Sequence, residues 1–323
     1  MPAAKLSDEE FIRMWRENPG SSIAASAMGS DPANVRRRRR NLERKYDIRL
    51  DTVDHRKAFN TAPVSDEAKA VISWNIRDGV ILVGSDAHVW PGELTVSQRA
   101  FIYFAKHFDP APVAIVANGD VFDGARISRF PAMGFLETGK PTVKQELEAV
   151  QNFLSEIEKN RRGARLFWPL GNHDLRYEAK LAAMVPEYEG IGGFHLKDHF
   201  PAWSPCWRLD INQDVVIKHR YHNGIHATYN NTLKSGKTIV TGHLHSLKVM
   251  PWSDYNGTRY GVDTGCLADT DSAQTVHYTE AGPVNWRSGF VVLTIKNGRL
   301  LVPEIVQRHD DDHVEFRGQL LRV

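Results

Sequence analysis

Short apolar runs rich in valine and isoleucine alternate with helical stretches along most of this 323-residue chain. Such runs are typical of buried β-strands, and strands interleaved with helices favour an α/β domain built on a buried sheet. Helices are predicted at about Thr95–Phe108 and Val143–Lys159, and a hairpin turn at Asn297-Gly298. The predicted strands are Val71–Trp74, Val80–Gly84, Val113–Ala117, Leu166–Leu170, Val215–Lys218, Thr238–Thr241 and Phe290–Ile295.

Polar motifs directly follow five of these apolar runs. In open α/β sheets, ligands gather outside the carboxyl ends of the strands. We therefore expect the five motifs to converge on one place. They are Asp86-Ala87-His88, Gly119-Asp120-Val121-Phe122-Asp123, Gly171-Asn172-His173-Asp174, His219-Arg220-Tyr221-His222-Asn223-Gly224 and Gly242-His243-Leu244-His245.

The side chains of these motifs suit divalent metals. Carboxylate, imidazole and amide groups favour Mn, Fe or Zn over soft, thiolate-bound metals. In Asp86-x-His88 and His243-x-His245, the two side chains can reach one ion or two neighbouring ions. Two neighbouring cations repel each other, and Asp120 is the natural carboxylate to lie between them. One such motif is a weak signal, but five in this order indicate a two-metal site.

In this order the motifs resemble the signature of the calcineurin-like metallophosphoesterase superfamily, over about residues 75 to 300. The resemblance implies an α/β fold, a four-layer α/β/β/α metallophosphoesterase sandwich, with two divalent metal ions as cofactors. Mn is expected first, and Zn, Fe or Mg are alternatives. One metal would be held by Asp86, His88, Asp120 and His245. The other would be held by Asp120, Asn172, His243 and a histidine of the fourth motif.

The fourth motif departs from the family pattern, because neither His219 nor His222 is followed directly by glycine. His219 closes the apolar run, as the family ligand usually does. His222 lies nearer to Asn223-Gly224, and the family's histidine-glycine pair lies near a turn. We favour His222 slightly, with His219 as the alternative.

The expected reaction is in-line attack on phosphorus by a hydroxide held between the metals. His173 is expected to act as general acid or transition-state stabiliser, and Asp123 to orient it. For Asp123, a structural cap on the turn after the strand is the alternative. Arg126 and Arg176 flank the motifs and are candidate substrate-binding residues, with plain surface roles as the alternative.

The first 52 residues predict a small all-α domain, followed by a linker over 53–75 and the metallophosphoesterase domain over 76–323. Ser7 and Glu10 predict a capping box, and Asp31-Pro32 predicts the start of a third helix. Three short helices, with a glycine turn before a basic third helix, resemble a helix-turn-helix. Together with the catalytic domain, this segment also resembles bacteriophage-encoded phosphoesterases.

A run of arginines on the third predicted helix provides candidate DNA contacts. Exposed arginines neutralise DNA phosphates and make binding sensitive to salt. A solvated face or a protein-docking helix is the alternative. The candidates are Arg36, Arg37, Arg38, Arg39 and Arg40.

Composition excludes several classes of protein. The two cysteines, Cys206 and Cys266, are too few for a disulfide framework or a thiolate zinc cluster. No apolar run approaches the roughly 20 residues of a membrane span, and the polar N-terminus is not a signal peptide. A cytoplasmic protein without a membrane partner is expected. Oligomeric state is left open.

The leading hypothesis is a DNA-directed phosphodiesterase or nuclease. A phosphomonoesterase acting on nucleotides or phosphoproteins is an alternative, and a non-catalytic DNA-binding regulator is another. The intact set of motif residues speaks against the regulator, since an inactive descendant is expected to have lost some of them.

Overall fold

The computed structural model describes residues 6–50, 70–129, 139–272 and 284–323, together with 275, 279 and 282. The chain divides into two compact units, Met1–Glu67 and Ala68–Val323. Most of the predicted linker lies outside the described residues. Its last part is not a linker, because Val71–Trp74 is a strand that pairs with another strand of the larger unit. No helix among the described residues is long and apolar enough to cross a membrane.

The smaller unit contains helices α1 (Asp8–Glu17), α2 (Ser21–Ala27) and α3 (Pro32–Tyr46). The predicted capping box is confirmed, since the Ser7 and Glu10 side chains each accept a hydrogen bond from the other's backbone N–H. Asp31 caps α3, with Pro32 at its first position. The helix-turn-helix assignment stays a prediction.

One apolar cluster joins the three helices of the smaller unit. α1 contributes Phe11 and Trp15, which are fully buried, and α3 contributes Val35 and Leu42. Met28, after α2, fills the space between them. The unit therefore has a core of its own.

The larger unit contains fifteen strands and four further helices among its described residues. The helices are α4 (Val96–His107), α5 (Val143–Asn160), α6 (Leu175–Met184) and α7 (Ala227–Ser235). The strands are β1 (Val71–Trp74), β2 (Gly79–Gly84), β3 (Ala114–Ala117), β4 (Arg165–Pro169), β5 (Ser204–Cys206), β6 (Arg208–Ile211), β7 (Val215–Ile217), β8 (Thr238–Thr241), β9 (Lys248–Asp254), β10 (Gly257–Asp263), β11 (Gly289–Lys296), β12 (Arg299–Leu300), β13 (Glu304–Arg308), β14 (His313–Phe316) and β15 (Gln319–Arg322).

These strands form two sheets. The first has the order β15-β14-β13-β11-β2-β3-β4-β5, with β12 paired to β11, and the second has the order β1-β6-β7-β8-β10-β9. In the first sheet β2, β3 and β4 are parallel. In the second sheet β7, β8 and β10 are parallel. Parallel neighbours end at the same edge, so each sheet collects several strand ends in one place.

Side-chain alternation along the strands separates two hydrophobic cores. In β2, Val80 and Leu82 join the core beneath α4 and α5, whereas Ile81 and Val83 join the core between the two sheets. α7 covers the outer face of the second sheet so closely that a side chain at Gly261 of β10 would collide with the helix backbone. The layers are thus helix, sheet, sheet and helix, and the predicted α/β/β/α sandwich is confirmed.

Candidate metal centre

The five polar motifs follow the ends of β2, β3, β4, β7 and β8. Backbone hydrogen bonds tie the first two motifs together side by side. The N–H of Asp86 donates to the Gly119 carbonyl over 2.9 Å, and that of His88 donates to the Asp120 carbonyl over 3.0 Å. The structure therefore brings the motifs to one edge of the paired sheets.

The chain turns sharply after these strands, and the turn aims the polar side chains inward. Five non-glycine residues of the motifs have a positive φ, a conformation that costs about 1–3 kcal/mol per residue unless the surroundings hold it. Such strain is concentrated at ligand sites. The residues are Asp86 (51°), His88 (39°), Asp120 (52°), His243 (72°) and His245 (56°).

Within the described residues, three groups of side chains have potential metal-ligand atoms within 4.8 Å of one another. Two of these groups contain most of the residues expected for two neighbouring ions. The third adds His173, which the sequence did not predict as a possible ligand. The groups are Asp86, His88 and His245; Asp120, His219 and His243; and His88, Asp120 and His173.

Several buried atoms at the centre have no hydrogen-bond partner within the described residues. Two of them are Nε2 of His219 and Oδ1 of Asn172. The other ring nitrogen of His219 bonds the Asn118 carbonyl over 2.7 Å, which fixes the ring with Nε2 3.1 Å from Oδ2 of Asp120. Leaving such an atom unpaired costs about 1–3 kcal/mol. A divalent ion would satisfy both atoms, so the residues fit the expected metals.

The preference for His222 over His219 is reversed by the geometry. His219 is 1 % exposed and lies between the carboxylates of Asp120 and Asp86. His222 is half-buried, its backbone N–H bonds Asn231, and its ring packs against Tyr221. It belongs to none of the ligand groups found among the described residues. The chain has left the strand end by residue 222, which carries that side chain away from the centre.

The charges of the centre are strongly coupled. Burial raises the pKa of Asp86, but the His245 and His219 imidazoles more than offset this and lower it to about 2. Burial lowers the pKa of His219, but the carboxylates of Asp120 and Asp86 raise it to about 10. The carboxylates are therefore ionised and attract cations. Binding of a metal would displace protons from the histidines.

Asp123 and His173 lie beside the ligand groups. Oδ1 of Asp123 lies 2.8 Å from Nδ1 of His173, and Nε1 of Trp90 donates to Oδ2 over 2.8 Å. Because Asp123 occupies Nδ1, Nε2 of His173 is directed to the other side, 3.0 Å from a guanidinium nitrogen of Arg176. This arrangement fixes the ring and its tautomer.

The two candidate phosphate-binding arginines have different positions. Arg176 lines the cavity in front of the centre and donates to the Asp123 carbonyl over 2.9 Å. The guanidinium of Arg126 donates instead to the carbonyls of Lys140 and Pro141. Arg126 does not line the cavity as the described residues define it. The structure therefore does not bring Arg126 to the site, because those carbonyls hold it elsewhere.

Asp174 is an organising residue that sequence reasoning did not single out. Its buried carboxylate joins the loops after β3 and β4. The available signal was its place at the end of the third motif, where a polar group follows a tight turn. The hydrogen-bond donors are the backbone N–H groups of Gly171 (2.8 Å), Asp120 (2.9 Å), Val121 (3.0 Å) and Phe122 (3.1 Å), and Nε1 of Trp168 (3.0 Å).

The candidate DNA-binding arginines of α3 do not all face outward. Arg38 pairs with Asp8 at 3.2 Å and lies over the Phe11 ring. Arg39 lies 3.5 Å from Glu43 and over the Trp15 ring. These two arginines therefore pack against the small unit and are partly buried, and their role as DNA contacts stays a prediction. Arg36, Arg37 and Arg40 are exposed.

No family model matches the chain. It is similar to the Gene 54 protein of Mycobacterium phage L5, 25 % identical over 224 residues that span 61 % of this chain and 82 % of the relative. It is also similar to the Gene 54 protein of Mycobacterium phage D29, 26 % identical over 230 residues with the same two coverages, 61 % and 82 %. Both relatives are phage proteins, in agreement with the phage context expected from the sequence.

Several solved structures show a distant likeness. Zn-complexed Vps29 from Entamoeba histolytica is 12 % identical, with 75 % of this chain and 96 % of that chain covered and a TM-score of 0.38. An archaeal phosphodiesterase is 15 % identical, with coverages of 70 % and 99 % and a TM-score of 0.34. A dimetal phosphatase from Danio rerio is 8 % identical, with coverages of 72 % and 96 % and a TM-score of 0.36. At these TM-scores the likeness says nothing about the site, whose chemistry rests on its own side chains.

Proposed function

We propose that this chain is a phosphodiesterase that uses two divalent metal ions. The observation that carries the proposal is a pair of adjacent ligand groups, one containing Asp86 and the other Asp120, both reached by His219. The unpaired Nε2 of His219 and Oδ1 of Asn172 are the atoms that such ions would engage. A structural role for these buried charges alone would leave both atoms unsatisfied.

Most residues of the centre are candidate metal ligands. Asp86, His88 and His245 would hold one ion, His219, His243 and Asn172 the other, and Asp120 would contact both. When bound, the two ions would lower the pKa of water and neutralise phosphate oxygens.

His173 and Arg176 are placed to serve the phosphate and its leaving group. Asp123 keeps the His173 ring oriented, with Nε2 toward the cavity and 3.9 Å from Oδ2 of Asp120. When Arg176 donates to a phosphate oxygen and no longer to Nε2, this nitrogen is free to carry a proton, which can pass to the oxygen of the leaving group. Arg176, 3.0 Å away, can donate to a phosphate oxygen in the same place.

The cavity in front of the centre is large enough for a phosphodiester. Its volume is about 780 Å³, and it extends well past the ligand groups along α6. A second ester group therefore has room beside the reacting phosphate.

The test is hydrolysis of bis-p-nitrophenyl phosphate and p-nitrophenyl phosphate by the full chain with Mn²⁺, with EDTA as the control. We expect the diester to be preferred about tenfold or more, and activity to be lost with EDTA. Cleavage of the monoester alone would show that the diesterase proposal is wrong.

We further propose that the natural substrate is DNA, to which the small unit brings the catalytic unit. Arg36, Arg37 and Arg40 provide three exposed positive charges on α3. Each phosphate contact contributes roughly 0.9 to the slope of log affinity against log salt concentration.

The experiment compares two triple alanine variants of the full chain. Replacement of Arg36, Arg37 and Arg40 should reduce the salt slope by up to about 3. The matched control replaces the exposed Lys106, Lys234 and Arg299 of the larger unit and should leave the slope unchanged. If the unaltered chain neither binds nor cuts single-stranded or duplex DNA at low salt, the DNA proposal fails while the phosphodiesterase proposal stands.

A further inference from the structure

One wall of the cavity carries, beside Arg176, an apolar face that the proposed hydrolytic chemistry does not use. That wall is α6, a helix of ten residues of which none is buried. Leu175, Ala179 and Ala183, spaced four residues apart, all line the cavity. Residues at this spacing lie on one face of a helix. An apolar helix face is normally covered by the protein's own core, so this one is available to a ligand.

The shape of the wall suits a flat group. Ala179 and Ala183 have the shortest apolar side chains, so together they leave a shallow surface at the side of the cavity. Met184, which also lines the cavity, is 64 % exposed. Trp286 lines the same cavity with its ring 4.4 Å from that of His245, so an aromatic surface lies next to the metal centre.

The charge of the cavity suits an anionic ligand. Outside the ligand groups, the exposed cations Lys180 and Arg220 line it. The acidic residue of that region, Asp269, is paired with Arg308 at 2.8 Å. A lipid chain would need a more uniformly apolar channel, and a phosphopeptide would not need a flat apolar wall. A nucleotide combines a flat ring with negative charge.

We propose that Ala179, Ala183 and Trp286 form a nucleoside subsite, in which one unpaired nucleotide of the substrate lies against α6 while its phosphate faces the metal centre. Only the placement of the phosphate at the metal centre rests on the proposed phosphodiesterase function. A base enclosed in such a cavity must be out of the duplex stack. Strand ends and single strands are therefore the preferred forms of substrate.

The test uses two glutamine substitutions at adjacent residues of α6. Ala183→Gln places a longer polar side chain on the cavity wall without a change of charge. Ala182→Gln is the matched control, because Ala182 is exposed on the same helix and does not line the cavity. Glutamine is a good helix former, so both variants should fold.

The first measurement is calorimetric binding of thymidine 5′-monophosphate and of inorganic phosphate to the Mn²⁺-loaded full chain. We expect the nucleotide to bind about tenfold or more tightly than phosphate, as base stacking contributes that much. Ala183→Gln should remove this difference without weakening phosphate, and Ala182→Gln should keep it. Equal affinities for both ligands in the unaltered chain, or equal behaviour of the two variants, would overturn the subsite.

The second measurement separates the subsite from the hydrolytic function. The full chain should cleave thymidine 5′-(p-nitrophenyl phosphate) with a kcat/KM about tenfold above that for methyl p-nitrophenyl phosphate. Ala183→Gln should lower only the former. If nucleotide binding follows the expected pattern but neither ester is cleaved, the subsite is supported and the phosphodiesterase proposal fails. If both esters are cleaved equally well, the subsite is overturned.

Discussion

Oδ1 of Asp123 lies 2.8 Å from Nδ1 of His173 and 3.3 Å from Nδ1 of His88. One carboxylate oxygen therefore orients the candidate proton donor and a candidate metal ligand together. The carboxylate is itself fixed by Trp90. Burial raises the pKa of Asp123, but hydrogen bonds from His173 and His88 hold it well below its ordinary value.

His173→Ala should lower kcat by about 10²- to 10⁴-fold, the usual contribution of a general acid, and leave two metals bound. Asp123→Asn should lower it by about 10- to 100-fold, because the ring loses its orienting partner. Steady-state kinetics on bis-p-nitrophenyl phosphate and metal analysis of the same samples check both effects. If His173→Ala loses metal, the residue is a ligand and the proton-donor role is wrong.

His219→Ala should reduce the bound metal from two ions per chain to about one and abolish diester hydrolysis. The reason is that Nε2 of His219 is the buried atom left for an ion. His222→Ala is the matched control and should retain both ions, since its ring packs against Tyr221 at the surface. Metal content after dialysis decides between them. Loss of one ion in His222→Ala, with both ions retained in His219→Ala, would show that His222 is the ligand.

Gly171→Ala should abolish metal binding without unfolding the chain. A Cβ at this glycine would overlap Oδ1 and the backbone N of Asp120, and would push that carboxylate out of place. Gly192→Ala is the control, because a Cβ there meets nothing within 4 Å. Calorimetric titration with Mn²⁺ and circular dichroism test both parts. Normal Mn²⁺ affinity in Gly171→Ala would contradict the placement of Asp120.

Glu146→Gln should stabilise the protein increasingly as the pH rises. Burial, followed by the charge of Asp123, raises the pKa of Glu146 from 4.5 to about 8 in the fold. Its carboxyl group thus contributes stability that is fully present below pH 4.5 and is lost as the pH rises through about 8. Glutamine cannot ionise, so the difference in Tm from the unaltered chain should widen between about pH 5 and pH 9, by several °C.

Thermal unfolding with EDTA measures this difference. Glu148→Gln is the control on the same helix, since Glu148 is exposed and only 3.6 Å from Lys144 in a surface pair. Such a pair contributes at most about 1 kcal/mol. If the difference in Tm between Glu146→Gln and the unaltered chain does not change with pH, the buried carboxyl is already ionised at neutral pH.

Seven of the fifteen strands could be predicted, because burial leaves a clear mark on the sequence. Every predicted strand, and both predicted helices of the larger unit, begin and end within one residue of their predicted bounds. The Asn297-Gly298 turn is also confirmed, since Lys296 pairs with Arg299 across it.

Three of the elements that were missed lack this alternation of buried apolar residues. α7 buries Thr228, Asn231 and Thr232, so polar residues occupy its inner face and no apolar period appears. α6 buries nothing. β9 is half-exposed and contains Pro251. Proline is tolerated in an edge strand, but in the sequence it favours the prediction of a loop.

The site could be located from the strand ends, but not completed. The sequence does not reveal at which residue after β7 the chain leaves the buried centre. His219 lies before that point and His222 lies after it. Arg126 and Arg176 look alike in sequence, and only long-range contacts to Lys140 and Asp123 distinguish them. Trp286 lies 41 residues after His245 in the chain, so nothing local connects the two rings.

Asp174 ties the loops after β3 and β4 into one rigid piece, and α6 starts at the very next residue. Asp174 thus holds the loops that position the centre, whereas the proposed subsite lies on a helix that has no buried residue and contacts the core through the partly buried Tyr177. Substitutions on the exposed face of that helix, away from Arg176 and Tyr177, are therefore expected to alter the choice of ester at little risk to folding or to catalysis. For an engineer, α6 is the place to begin when redirecting this scaffold to new substrates.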